Sequence, residues 1–179
     1  HWILLVVGNV LTLDTDGEAA LIPSEIMRFS IDSTAQVNLE ASLRVLASPG
    51  QSASEVPNHE STDPIIRLIS AVFRLSEMEK RAADAGYVAL LSPEVSSSVA
   101  WFLRRYALTY LSAQESYYSE MSPALLAAFG QNTEGSAWTV TFLLEKVVTN
   151  LNSTLTITKR TRPLRHPGQI KCTIYLYSV

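Results

Sequence analysis

The chain has 179 residues, 47% of them hydrophobic and 17% charged, with a formal net charge of −3, 7 glycines and a single cysteine. That length and apolar content allow one sizeable core and exclude global disorder, while scarce glycine suits helices better than turn-rich β architecture. The lone Cys172 excludes an internal disulfide framework or a cysteine-based zinc cluster and is compatible with a reducing compartment.

The N-terminal stretch HWILLVVGNVL reads as the end of a helix over residues 1–12. Its apolar run is broken by Gly8 and Asn9, well short of the ~20 residues a bilayer needs. No initiator methionine or basic leader precedes it, which suggests an internal fragment beginning inside a helix. Leu11 to Glu18 is a polar loop. Pro23 suits the first turn of a short helix over Ile22–Ile31, and a second helix over 35–47 carries Val37, Leu43 and Leu46 before Ser48-Pro49-Gly50 stops it. Residues 51–61 lack periodicity and form an exposed loop.

The strongest middle helix takes Thr62 as its cap, with Asp63 and Pro64 in its first turn. Ile65, Ile69, Val72, Phe73 and Ser76 make its buried stripe, and Gly86 ends it. Ser92-Pro93-Glu94 opens another helix, whose buried face is Val95, Val99, Phe102, Leu103, Tyr106 and Tyr110. Ser122-Pro123-Ala124 opens a third that stops at Gly130, which can take a left-handed backbone because it has no Cβ. Asn132 or Thr133 caps the last helix, with Glu134 near its positive end and Lys146 nearer its negative end. Trp138, Phe142, Leu143, Val147 and Leu151 mark its apolar face.

The Ser-Pro starts at 92 and 122, and the 37-residue separation of Trp101 and Trp138, suggest repetition. Tandem helical arrays have periods of roughly 34 to 47 residues. The predicted fold is therefore all-α, a HEAT-repeat-like helical solenoid segment (an α-α superhelix) over residues 1–152.

The tail is of another composition class. Through Asn152 there are 9 basic and 17 acidic residues, a balance of −8; from Ser153 there are 5 basic and no acidic residues, a balance of +5. An acidic body disfavours general nucleic-acid binding and favours basic protein partners. Residues 153–179 hold two β-like stretches, Thr154–Thr158 and Cys172–Tyr177, around the basic run Lys159–Pro167. Two readings stand: a β-hairpin closing the helical part, or a C-terminus from a mis-spliced or mispredicted transcript that never evolved against this core.

Several patterns come near to chemistry without reaching it. Gly130 and Gly135-Ser136 have the glycine spacing of a phosphate loop, but no lysine follows and no strand precedes. Asp14, Asp16, Glu18 and Glu25 have the acidic spacing of a calcium loop, but Ala19 stands where its glycine belongs. His1, His59 and His166 are scattered. Ser48, Ser92 and Ser122 precede prolines and could accept phosphate, yet also serve as helix caps and stops. Asn152-Ser153-Thr154 is a glycosylation sequon, relevant only in a secreted protein. Arg104-Arg105 is a small basic spot, read as a solvated face before a partner contact, and Lys159–His166 resembles a nuclear-localisation patch. No catalytic, cofactor-binding or metal residue is assigned, and no enzyme activity is expected.

The ordered stretches HWILLVVGNVL, LIPSEIMRFSI, VLASPG, TDPIIRLISAVFRLSE, WFLRRYALTYL and AAFGQNTEGSAWTVTFLLEKVVTNL resemble an internal segment of a nuclear export receptor of the importin-β (karyopherin) superfamily. The resemblance runs from His1 to Asn152 and is most specific around FGQNTEGSAW, where Asn132 stands in place of an aspartate. It stops after Asn152, while the family's solenoid continues, and that departure supports an altered C-terminus. The resemblance implies a HEAT-repeat superhelix that binds Ran in its GTP form together with protein cargo, passes the phenylalanine-glycine nucleoporins and shuttles between nucleus and cytoplasm. It implies as cargo the hypusine-bearing translation factor, Smad-type factors and, in import, Sox-type factors. No Ran or cargo contact matches a particular residue here, so the protein interface is left unknown. The alternative is a stand-alone helical-repeat scaffold or adaptor. Either way, a solenoid piece without neighbours leaves apolar faces uncovered and is expected to be marginal alone.

Overall fold

A computed structural model describes residues 1–13, 20–111, 113 and 115–146. Seven helices pack against one another and the described residues hold no strand, so the described part of the chain is an all-α helical segment. The basic tail from Ser153, with His166, Cys172 and the sequon, lies outside the described residues, as do Asp14, Asp16, Glu18, Ala19, Val147 and Leu151.

The helices are α1 (Trp2–Leu11), α2 (Ser24–Ser33), α3 (Leu39–Leu46), α4 (Pro64–Asp84), α5 (Pro93–Tyr106), α6 (Pro123–Phe129) and α7 (134–146). A π-helical turn, Ala107–Leu111, prolongs α5. α1 packs chiefly on α5, α3 on α4 and α6, and α2 on α4 and α6.

Helix starts shift where a side chain found a better partner than its neighbour. Pro23 is the N-cap of α2 rather than part of its first turn. The predicted helix over 35–47 is shorter: Thr34–Gln36 forms a 3-10 turn, and Asn38 caps α3 by accepting from the Ala41 N–H. Asp63, not Thr62, caps α4, its carboxylate accepting from the Ile65 and Ile66 N–H groups, while the buried Thr62 hydroxyl has no partner. Two 3-10 turns, Ala53–Glu55 and His59–Ser61, order the loop before α4.

Gly86 ends α4 as its sequence suggests, with φ +86. Its N–H bonds Ala83 O and the Tyr87 N–H bonds Ala82 O, a Schellman pair that satisfies two terminal carbonyls. Gly130 does not take a left-handed backbone. Its φ is −60 and ψ 159, and Asn132 holds the left-handed position instead, at φ 62. Gly130 is needed for space: a Cβ there would lie 2.5 Å from Leu126 O. Thr133 is the cap of α7, donating to Gly130 O and accepting from the Ser136 N–H.

The core is aromatic. Phe73 of α4 stacks on Phe142 of α7 at 4.7 Å and meets Tyr106 of α5 edge-on at 5.2 Å. Tyr106 stacks on Tyr110 at 5.2 Å, and both meet Phe129 of α6 edge-on. This spine crosses four helices, geometry that adds to simple area burial. The Ile65, Ile69, Val72, Phe73 and Ser76 stripe is buried as predicted, as are Val99, Phe102, Leu103, Tyr106 and Tyr110, with Val95 partly so. The two tryptophans spaced by 37 residues occupy unlike settings: Trp101 lies over Gly8 of α1, and Trp138 lies beside Phe73 and Phe142.

Candidate interaction surfaces and buried polar sites

Among the described residues the chemistry-bearing side chains lie apart from one another. His1 stacks on Trp2 at the start of α1 and His59 sits in a 3-10 turn. Glu25 lies in the first turn of α2, bonded by Ser24. Among the described residues no group of three or more His, Cys, Asp or Glu could hold a metal ion. None of their helices is long and apolar enough to cross a membrane. The Gly130–Gly135 spacing is a packing device, since a Cβ on Gly135 would lie 2.5 Å from Ala128 O. There α7 starts in close contact with the backbone of α6.

The most developed polar site is buried and was not legible in the sequence. Asp63, with no exposure, accepts at Oδ1 from the Ile65 and Ile66 N–H groups at 2.8 and 3.0 Å. Its Oδ2 accepts from Ser30 Oγ at 2.5 Å. Ser30 and Ser122 hydroxyls lie 2.6 Å apart. A hydroxyl has one proton and Ser30 gives its own to Asp63, so Ser122 donates to Ser30. The Asp63 N–H donates to Ser42 Oγ, which in turn donates to Asn38 O. Asp63 thus ties together α2, α3, α4 and α6, through its N–H on α3 and its carboxylate on the others, whose charge is spread over three donors at a helix N-terminus.

Arg105 is also placed by tertiary structure. It donates from Nε to Thr12 Oγ1 at 2.7 Å and from Nη2 to Thr12 O at 3.0 Å, and lies over the Trp101 ring at 5.0 Å. The basic spot read from the sequence as a solvated face is therefore half a helix-end clamp; only Arg104 is exposed. Nearby Tyr110 Oη donates to Leu11 O. Arg105 and Tyr110 together satisfy the Leu11 and Thr12 carbonyls at the end of α1.

Lys146, the last described residue of α7, is only 5% exposed and donates to Glu77 Oε2 of α4 at 2.5 Å. Burial pushes the Glu77 carboxyl up, but the hydrogen bond and charge of Lys146, with Lys80 and Arg81, outweigh it and hold the carboxyl below the usual glutamate value. Burial prevails at Glu79, whose carboxyl is raised despite its bond from Ser96. Beside Glu77 lies an open pocket of about 240 Å³ bordered by Gly50, Arg81, Trp138 and Glu145. Burial also pushes the Tyr106 and Tyr110 phenols well up.

Two surface features remain. α1 turns Trp2, Ile3, Val6 and Val10 to solvent, each more than half exposed, in a row continued by Leu13. A second pocket, about 210 Å³, lies where the loop after α3 meets α4, between Ser48 and Gln51 on one side and Arg67, Ser70 and Arg74 on the other. The Ser-Pro serines differ in setting. Ser122 is fully buried and uses its hydroxyl on Ser30 instead of capping α6. Ser92 heads α5 but donates to Glu94 and accepts no cap bond from a backbone N–H. Ser48 is partly exposed.

A stack of packed helices with an apolar outer helix face is the construction of helical-repeat proteins. Comparison with known proteins gives the particular likeness: the chain is 27% identical over 153 residues to Exportin-4 of Dictyostelium discoideum, a match covering 84% of this chain and 12% of that protein. The chain thus spans about one eighth of the length of the curated relative it matches. No family model matches it.

Proposed function

We propose that the chain is a segment of a nuclear transport receptor of the karyopherin type. In this reading it supplies one stretch of a longer superhelix that binds Ran in its GTP form with protein cargo, passes the nucleoporins and shuttles between nucleus and cytoplasm. The observation that carries the reading is the similarity to Exportin-4 along 153 residues, over a chain of stacked helices. The apolar row on α1 supports it, because a solenoid buries such faces against the neighbouring repeat. The acidic balance of residues 1–152 suits basic cargo. Residues 153–179 are then a separate unit of basic composition, and the transcript across Asn152 tests whether they belong to the same protein.

The test is capture of Ran, loaded with GTP or GDP, by a longer polypeptide that contains this segment. Binding that depends on GTP supports the transport receptor. Indifference to the nucleotide supports the stand-alone scaffold.

A further inference from the structure

Of the three serines that precede proline, Ser122 is sealed in the core and Ser92 is held against Glu94, whose carboxylate would repel a second anion. Ser48 differs on every count. It is partly exposed, and its hydroxyl makes no hydrogen bond among the described residues. Pro49 biases it away from helical backbone, and it lies on a surface connection, where modifying enzymes find access. Its turn is held by the Ser48 N–H on Val45 O at 3.4 Å, the Gln51 N–H on Ser48 O at 3.1 Å and Arg81 Nη1 of α4 on Gly50 O at 3.0 Å.

Across the same 210 Å³ pocket stand Arg67 and Arg74, two helical turns apart on one side of α4. Neither makes an ion pair among the described residues, and no acidic side chain lines the pocket. In a body with a balance of −8, two unpaired arginines facing one free hydroxyl are out of character. We propose that Ser48 is a phosphorylation site for a proline-directed kinase, and that Arg67 and Arg74 hold the phosphate it acquires.

In the step itself Ser48 Oγ bonds to the γ-phosphorus of a nucleoside triphosphate. The bond from that phosphorus to the β-phosphate oxygen breaks, the diphosphate leaves and the hydroxyl proton passes to solvent. The product carries close to two negative charges and acceptor oxygens that match arginine forks. Held there, the phosphate adds a second tie between the loop after α3 and α4, beside the Arg81 bond to Gly50 O.

The full chain is treated with ATP and a proline-directed kinase, and the sites are mapped by mass spectrometry. Phosphate is expected on Ser48 and lost in Ser48→Ala, with Ser122 unmodified. The phosphoserine is then titrated by phosphorus NMR. Its midpoint is expected about 1 pH unit below that of a free phosphopeptide spanning the loop, and Arg67→Gln with Arg74→Gln returns it to the peptide value. Ser48 left unmodified after exhaustive treatment overturns the modification. A midpoint equal in the native chain and the double arginine variant overturns the cradle.

Discussion

Ser30 Oγ donates to Asp63 Oδ2 across 2.5 Å inside the core, joining the middle of α2 to the N-cap of α4. The two are 33 positions apart, and Ser122, which donates to Ser30, is 92 positions from it. The bond turns a local capping residue into the knot between four helices.

Asp63→Ala removes two cap bonds and leaves Ser30 without its acceptor, so it is expected to cost about 3 kcal/mol in denaturant unfolding. Asp63→Asn keeps an oxygen for the cap and should cost less. Ser30→Ala should cost about 1–2 kcal/mol, because the Asp63 charge loses one of its three donors.

The Glu77–Lys146 pair should show in a double-mutant cycle. Glu77→Gln strands a buried ammonium and is expected to cost about 2 kcal/mol, whereas Glu77→Gln with Lys146→Met should recover much of the loss. The folded Glu77 carboxyl titrates below its unfolded value. Its stabilisation is therefore present above the ordinary glutamate midpoint, about pH 4.3, and is lost as pH falls through the folded value. Unfolding followed from pH 7 to pH 3 should show the native chain losing its advantage over Glu77→Gln at the acid end.

Two core tyrosines should respond oppositely to loss of their hydroxyls. Tyr106 and Thr139 hydroxyls are buried and near each other, and neither has a hydrogen-bond partner among the described residues. Tyr106→Phe with Thr139→Val is expected to be neutral or stabilising. Tyr110→Phe leaves Leu11 O without its donor and should cost about 1–2 kcal/mol. Thermal unfolding of the two variants checks the contrast.

Gly135→Ala should cost about 2 kcal/mol, since backbone atoms of Ala128 cannot yield as a flexible side chain would. A Cβ on Gly86 meets nothing within 4 Å, so Gly86→Ala should show only the strain of φ +86, about 1 kcal/mol. Chemical denaturation ranks the two.

The apolar row on α1 should govern association. Ile3→Glu, Val6→Glu and Val10→Glu together are expected to reduce aggregation in light scattering, with each site changing stability by no more than about 0.5 kcal/mol. A large drop in the unfolding midpoint would show that these side chains already pack within the chain.

The sequence by itself determined the helices and their buried faces, because those signals are short-range. Ile65, Ile69, Val72 and Phe73 declare a stripe by spacing alone, and Pro64, Pro93 and Pro123 fit only a first turn. Gly86 ended α4 because a left-handed residue without a Cβ has few other uses. Neighbours compete for such roles, and spacing alone does not rank them: Asp63 takes the cap from Thr62, and Asn132 takes the left-handed position from Gly130. Only the tertiary structure decided which polar groups meet. Arg105 reaches Thr12 across 93 positions and Lys146 reaches Glu77 across 69, and no periodicity encodes a partner so distant. Those pairs exist because helix crossings set by the apolar stripes carry the polar residues along, and burial obliges each to find a partner.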